Sequence, residues 1–227
     1  MNSIHPTALI GPHVRLGKGN TIGPFAVLAG TITMGDDNWI GSGARLGVPP
    51  EVRSAAHTAD WSEYDGPGLV IGDGNVLRED VQVQTGWQRE TVLGDGLFLM
   101  YRSYVAHDVR VGDGVTMAAG ASVAGHVVLG AGANLGVGAL VHQRRVIGAL
   151  AMVGMGSVVT RDIPPFALAY GSPCRVQGVN RVGLERSGAE RDEIDALERM
   201  LAHGEAPAPT SEALRRHVTD FQAAVAA

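Results

Sequence analysis

The stretch "VAHDVRVGDGVTMAAGASVAGHVVLGAGANLGVGALVHQRRV", residues 105–146, decides the fold. Val105, Val111, Met117, Val123, Leu129, Leu135 and Val141 stand six residues apart, often with glycine or alanine next in line. A period of six matches neither the 3.6 of a helix nor the regular reversals of hairpins. It fits short strands joined by tight turns, with one aliphatic side chain per hexad pointing inward. The same ruler continues through Ile147, Val153 and Val159, and backward through Leu99 and Leu93. It returns at Ile71, Leu77 and Val83, and runs unbroken from Ile4 through Ile10, Leu16, Ile22, Leu28, Met34 and Ile40 to Leu46. Three hexads make a triangular coil of 18 residues, and coils stack by parallel strand pairing. The 23 hexads predict between seven and eight coils and a prism roughly 37 Å long at ~4.8 Å per coil. The "GDG" triplets at 72–74, 94–96 and 112–114 fall at turns, where glycine and aspartate suit positive φ or local hydrogen bonding.

Two breaks interrupt the period. Residues 47–70 and 84–92 read as loops thrown out from corners, and loops on a rigid scaffold are where binding residues concentrate. The expected organisation is a β-helix over 1–175, followed by a C-terminal helical segment over 176–227. In that segment "AERDEIDALERMLAHG" reads as a helix ending near Gly204, with Ile194, Leu197, Met200 and Leu201 on one face. "SEALRRHVTDFQAAV" reads as a second helix with Ser211 as its cap. The helices are expected to cover the open end of the prism.

Composition bounds the function. The charge sum is 18 − 23 = −5, so no basic face for nucleic acid is advertised. The single Cys174 excludes an intramolecular disulfide and any Cys pair for a metal, and fits a reducing compartment. Neither a signal peptide nor a membrane span is legible, so a cytoplasmic location is expected. Phosphate-binding P-loop and nucleophile-elbow patterns are absent from the sequence.

An 18-residue coil turns linear spacing into adjacency. His107, His126 and His142 are 19 and 16 residues apart, which places all three near one corner on successive coils. Gly125, 18 residues after His107, is expected directly above it, and Tyr104 is expected to point outward on the approach to that corner. The β-helix carbonic anhydrases, of similar architecture, hold zinc with two histidines close together on one turn and a third from a neighbouring subunit. No second histidine lies within a few residues of any of the three here, so a three-histidine zinc site is disfavoured. Neither metal nor cofactor is expected.

The hexad pattern resembles that of left-handed parallel β-helix acyltransferases, and the handedness comes from that resemblance. "IHPTALIGPHVRLG", "IGDGNVLREDVQVQTG", "VAHDVRVGDG", "VAGHVVLG", "VHQRRVIGA" and "DIPPFALAYGSPCRVQGVNRVGLERSG" together resemble the acyl-carrier-protein-dependent UDP-N-acetylglucosamine O-acyltransferases of lipid A synthesis over nearly the whole chain. The resemblance implies that His107 is the general base and Asp108 its orienting partner. It implies that Gly125 offers its backbone N–H to the oxyanion. His126, His142 and Gln143 match substrate-contacting positions; Asn180 and Arg186 match positions that hold the nucleotide and diphosphate end. Glu51 and Arg53 in "PPEVR" stand where the family carries an aspartate and a lysine. Met155 matches the ruler of the acyl chain and implies a short or medium chain. By the coil count it lies at a different corner from His107, so a neighbouring subunit of a homotrimer must supply it.

Three positions depart from the family pattern: Tyr104 stands for a histidine that touches the sugar, Val182 for an acidic residue, and Ser187 for an arginine. The expected activity is transfer of a fatty acyl group from an acyl carrier protein thioester to a UDP-N-acetylglucosamine-like sugar. The alternative is a coenzyme A-dependent transfer to a nucleotide-sugar amine or another small acceptor. Arg144, Arg145, Arg161 and Arg175 are candidate docking charges for an acidic carrier protein.

Overall fold

A computed structural model of the protein describes residues 1–227 except 56, 59, 62, 63, 65 and 207. Each of the 23 apolar residues of the hexad ruler falls in its own short strand, from β1 (Ser3–Ile4) to β23 (Val158–Val159). The strands form three parallel faces. Sheet A begins with Ser3–Ile4, sheet B with Leu9–Ile10 and sheet C with Val14–Leu16, and they hold ten, eight and seven strands. Register follows the coil: Tyr104 pairs with Ser122 and Val105 with Val123. Across the second loop the step lengthens, so that Gln82 pairs with Tyr104.

From Ile22 to Val159 the ruler residues are almost wholly buried and form one continuous core. Sequestering each such side chain is worth about 2 kcal/mol. The first coil departs from this: Ile4 is 44 % and Ile10 36 % exposed. The strands are so short that the corners must also be tied. The GDG aspartates do this, each accepting a backbone N–H from the coil below: Asp36 N–H to Asp73 (2.6 Å), Asp73 N–H to Asp95 (2.7 Å) and Asp95 N–H to Asp113 (2.9 Å). A buried asparagine ladder, Asn20–Asn38–Asn75, makes the same kind of link from inside the prism.

The loops are slightly shorter than their sequence limits, since strands reach Val48 and Gln84 and resume at Leu69 and Thr91. The β structure also runs past residue 175. β24 (Ala167–Gly171) extends sheet A, and β25 (Cys174–Val179) pairs with it antiparallel. Neither carries the hexad period, so a boundary at 175 falls inside β25. Among the described residues three helices follow: α1 (Arg181–Arg186), α2 (Arg191–Ala202) and α3 (Glu212–Ala226). α1 was not foreseen; Asn180 caps it, its Oδ1 accepting Gly183 N–H at 3.1 Å.

The helices gather on the last strands of the prism, and Leu201 of α2 packs against the main core. β25 covers the last edge of sheet A, α2 packs on β25, and α3 packs on the last strand of sheet C, Val146–Ile147. A second apolar cluster of Phe166, Val179, Leu184, Ile194, Leu197 and Leu214 holds them there. Ile194 and Leu197 are buried as the helical pattern predicted, while Met200 and Leu201 are half-buried at the margin. Ser211 occupies the cap position of α3, but its side chain makes no capping bond. Glu193 of α2 accepts the Thr210 and Ser211 N–H groups instead, each at 2.7 Å.

Candidate active site

The corner between sheets B and C gathers the main candidate residues. His107 and Asp108 occupy the turn that follows the strand Tyr104–Val105, so both side chains can face the same side. Asp108 adopts φ +60 and His126, 18 residues on, φ +63. The repeated left-handed turn stacks successive corners. As the coil count required, Gly125 lies against His107: a Cβ added there would stand 2.7 Å from His107 Cε1 and 2.8 Å from Nε2. Only glycine leaves room for the ring. The Gly125 N–H donates to no group among the described residues, so it is free for a ligand.

Asp108 is fully buried. Its Oδ2 lies 2.7 Å from His107 Nδ1 and 3.6 Å from His126 Nε2. Its Oδ1 accepts the backbone N–H groups of Trp87 (3.1 Å), Gln88 (2.9 Å) and Arg89 (2.7 Å). Burial pushes this carboxyl up, but the Arg89 N–H, His107 and the other two N–H groups outweigh burial and hold it below the ordinary carboxylate range. Asp108 is therefore an anchored anion rather than a solvated turn residue. It orients the His107 ring and pins the second loop. His126 meets His107 edge to face at 5.2 Å between ring centres. Burial lowers the pKa of His126 below its ordinary value, and Arg144, His107 and Arg89 reinforce this against Asp108.

The fold divides the remaining candidates into three groups. Tyr104 and Glu51 come together across the first loop, the phenol donating to Glu51 Oε2 at 2.9 Å. Burial first, then Glu51, raises the Tyr104 hydroxyl well above its usual pKa. Arg53 is exposed and joins no partner among the described residues. His142 and Gln143 lie on the same corner one coil above, yet both are exposed, and His142 Nδ1 meets only the Gln143 carbonyl at 3.2 Å. The three-histidine cluster is thus a pair plus an outlying third. Arg144 and Arg145 line a cavity of about 750 Å³ with Arg89, Arg110 and His126. Arg145 pairs with Asp162 at 3.3 Å, and Arg175 donates to its neighbour's carbonyl, while Arg161 is exposed.

Asn180 and Arg186 are elsewhere. They line a cavity of about 890 Å³ on the outer face of sheet A with Thr116, Asn134 and Met152. Met155, 76 % exposed, sits on the turn between sheets A and B. Neither group shares the His107 corner within one chain.

Linear spacing argued against a metal because no histidines are close in sequence. The coils bring two together: ligand atoms of His107, Asp108 and His126 all lie within 4.8 Å of one another. The third group is a carboxylate rather than His142. Sequence reading also missed Gln84, Thr91 and Arg89 as parts of this corner. Thr91 Oγ1 accepts the Asp108 N–H at 2.9 Å, and Gln84 Oε1 accepts the His107 N–H at 3.1 Å. The signal was available, since the second break in the period falls one coil below His107 and at the same corner.

A family model described as UDP N-acetylglucosamine O-acyltransferase, domain 2, matches residues 162–221. A Halorhodospira halophila protein named acyl-[acyl-carrier-protein]–UDP-N-acetylglucosamine O-acyltransferase is 38 % identical over 220 residues, covering 88 % of this chain and 83 % of its own. A Caulobacter vibrioides protein of the same name is 41 % identical over 217 residues, covering 86 % and 80 %. Among solved structures, the UDP-N-acetylglucosamine acyltransferase from Campylobacter jejuni is similar with a TM-score of 0.79 at 26 % identity, over 96 % of this chain and 93 % of that one.

Proposed function

The chain belongs to the family of acyl-[acyl-carrier-protein]–UDP-N-acetylglucosamine O-acyltransferases, and on that premise we propose how its residues perform the transfer. It moves a fatty acyl group from an acyl carrier protein thioester to a hydroxyl of UDP-N-acetylglucosamine. The observation that carries the reading is His107 held between the Asp108 carboxylate and Gly125. With Nδ1 bound to Asp108, the His107 lone pair is on Nε2, the atom beside Gly125. Nε2 takes the proton of the sugar hydroxyl as its oxygen attacks the thioester carbonyl carbon. A C–O bond forms and the carbonyl oxygen becomes an oxyanion, which the free Gly125 N–H receives. The C–S bond then breaks, and the carrier thiol leaves with the proton from His107. Asp108 stabilises the imidazolium between these steps.

Tyr104 and Glu51 flank the acceptor sugar, with His126 beside the base. Arg89, Arg144 and Arg145 give the corner the positive charge that an acidic carrier protein meets. Asn180 and Arg186 hold the nucleotide end and Met155 limits the acyl chain. Both must come from a neighbouring copy, because sheet A lies away from the His107 corner. A closed trimer satisfies that need. Removing the base is expected to cost about 10²–10⁴-fold in rate. The test is product mass spectrometry with His107→Ala, given UDP-N-acetylglucosamine and either acyl carrier protein or coenzyme A thioesters. Undiminished turnover rejects His107 as base. Product from the coenzyme A donor alone rejects the carrier assignment.

A further inference from the structure

Gln84 ends the strand Gln82–Gln84, one coil below the catalytic turn. The ladder slips there: Val83 pairs with Leu46, but Gln84 pairs with Val48. The side chain is completely buried. Its Oε1 is used, accepting the His107 N–H at 3.1 Å. Its Nε2 is buried without a hydrogen-bond partner among the described residues. An orphaned buried donor carries an uncompensated desolvation cost, and such a cost next to a reacting group calls for a reason. The other orphan, Asn75 Nδ2, belongs to the asparagine ladder inside the prism.

Tyr104, in the coil above, pairs with Gln82 of the same strand as Gln84, and the nearby Gln84 amide lowers the Tyr104 pKa, though less than burial and Glu51 raise it. Tyr104 spends its own proton on Glu51, and a phenol oxygen also accepts. Gln84 therefore touches the base through one end of its amide and lies beside the acceptor side of the site with the other.

We propose that Gln84 is a positioning residue for both halves of the reaction. Its carbonyl oxygen fixes the His107 turn. Its N–H₂ donates to the Tyr104 oxygen once an acceptor sugar draws the Tyr104 proton from Glu51. The inference rests on the acyl-transfer reading for its kinetic consequences and on the present geometry for the His107 contact.

Two substitutions separate the ends. Gln84→Met removes both, and Gln84→Glu keeps an oxygen for His107 but loses the donor. Each lost contact is expected to cost about tenfold, the scale of one hydrogen bond at a charged or reacting group. Gln84→Met should lower kcat and raise the KM for UDP-N-acetylglucosamine, each about tenfold. Gln84→Glu should keep kcat within about twofold and still raise KM. In a Tyr104→Phe background the KM effect of either substitution should vanish. Kinetics of Gln84→Met equal to wild type, or a KM effect undiminished by Tyr104→Phe, overturns the proposal. Should Gln84→Met not fold, the Gln84→Glu and Tyr104→Phe pair carries the same test. Amide exchange at the His107 N–H needs no turnover: it should be at least about tenfold faster in Gln84→Met and unchanged in Gln84→Glu, and equal rates in all three chains overturn the contact. Failure of the wild type to acylate the sugar would reject the acyl-transfer reading and leave the exchange result to decide the role of Gln84.

Discussion

At the residue scale, the site depends on one anchored carboxylate. Asp108 receives three backbone N–H groups on one oxygen and the His107 ring on the other. Asp108→Ala leaves those donors orphaned in a buried corner, and a loss of about 3 kcal/mol in unfolding free energy is expected. The sign of its pH dependence follows from the lowered pKa. The stabilisation is fully present above the ordinary carboxylate pKa of about 4 and fades as pH falls through the lower folded value. The gap between wild type and Asp108→Ala in denaturant melts should therefore close in acid; a constant gap contradicts the anchored anion. Asp108→Asn keeps the shape but places an N–H₂ opposite His107 Nδ1, which favours the wrong tautomer. A drop in kcat on the order of 10²-fold or more, with KM little changed, is expected in steady-state assays. Gly125→Ala tests the other side of the ring. Its methyl cannot occupy space 2.7 Å from His107 Cε1, so the ring must move and at least a tenfold loss is expected.

At the scale of elements, short strands make corner chemistry as important as the inward apolar residue. The hexad was legible because each short strand, of two to four residues, carries an inward apolar side chain at the same place in the repeat. β24, β25 and α1 were not legible because a terminal hairpin and a one-turn helix carry no period. Ser211 shows how a local rule yields to a tertiary partner. Its cap position was correct, but Glu193 from α2 satisfies the N–H groups at the start of α3. Glu193→Ala should loosen α3, read as faster amide exchange at Thr210 and Ser211. The Glu193 carboxyl titrates below its ordinary value: burial alone would raise it, and the Ser211 and Thr210 hydrogen bonds outweigh burial. The docking of α3 it supports should therefore be strongest above the ordinary glutamate pKa and weaken in acid.

At the scale of the molecule, the candidate residues of one chain fall in separate places. His107 is at the corner of sheets B and C; Asn180 and Arg186 lie against sheet A, and Met155 at the corner of A and B. A shared site predicts complementation. His107→Ala chains and Arg186→Ala chains, each impaired alone, should regain activity when co-refolded, because some interfaces then pair an intact base with an intact arginine. Recovery no greater than the sum of the separate activities argues for sites within single chains. Sedimentation should give three times the chain mass. Acyl donors of graded length should show Met155→Gly accepting longer chains than wild type.

The sequence by itself determined the prism, the register of its coils and the nearness of Gly125 to His107. All three follow from a fixed 18-residue pitch, and a rigid period converts directly into distance. It also carried the family likeness, because the turn residues of A-H-D and A-G-H are local. Tertiary structure alone decided the burial of Asp108, the grip of the second loop on it, the Tyr104–Glu51 contact and the burial of Gln84 against the His107 turn. Those depend on where loops of irregular length fold back and on which polar atoms lose water, and neither quantity has a period to read.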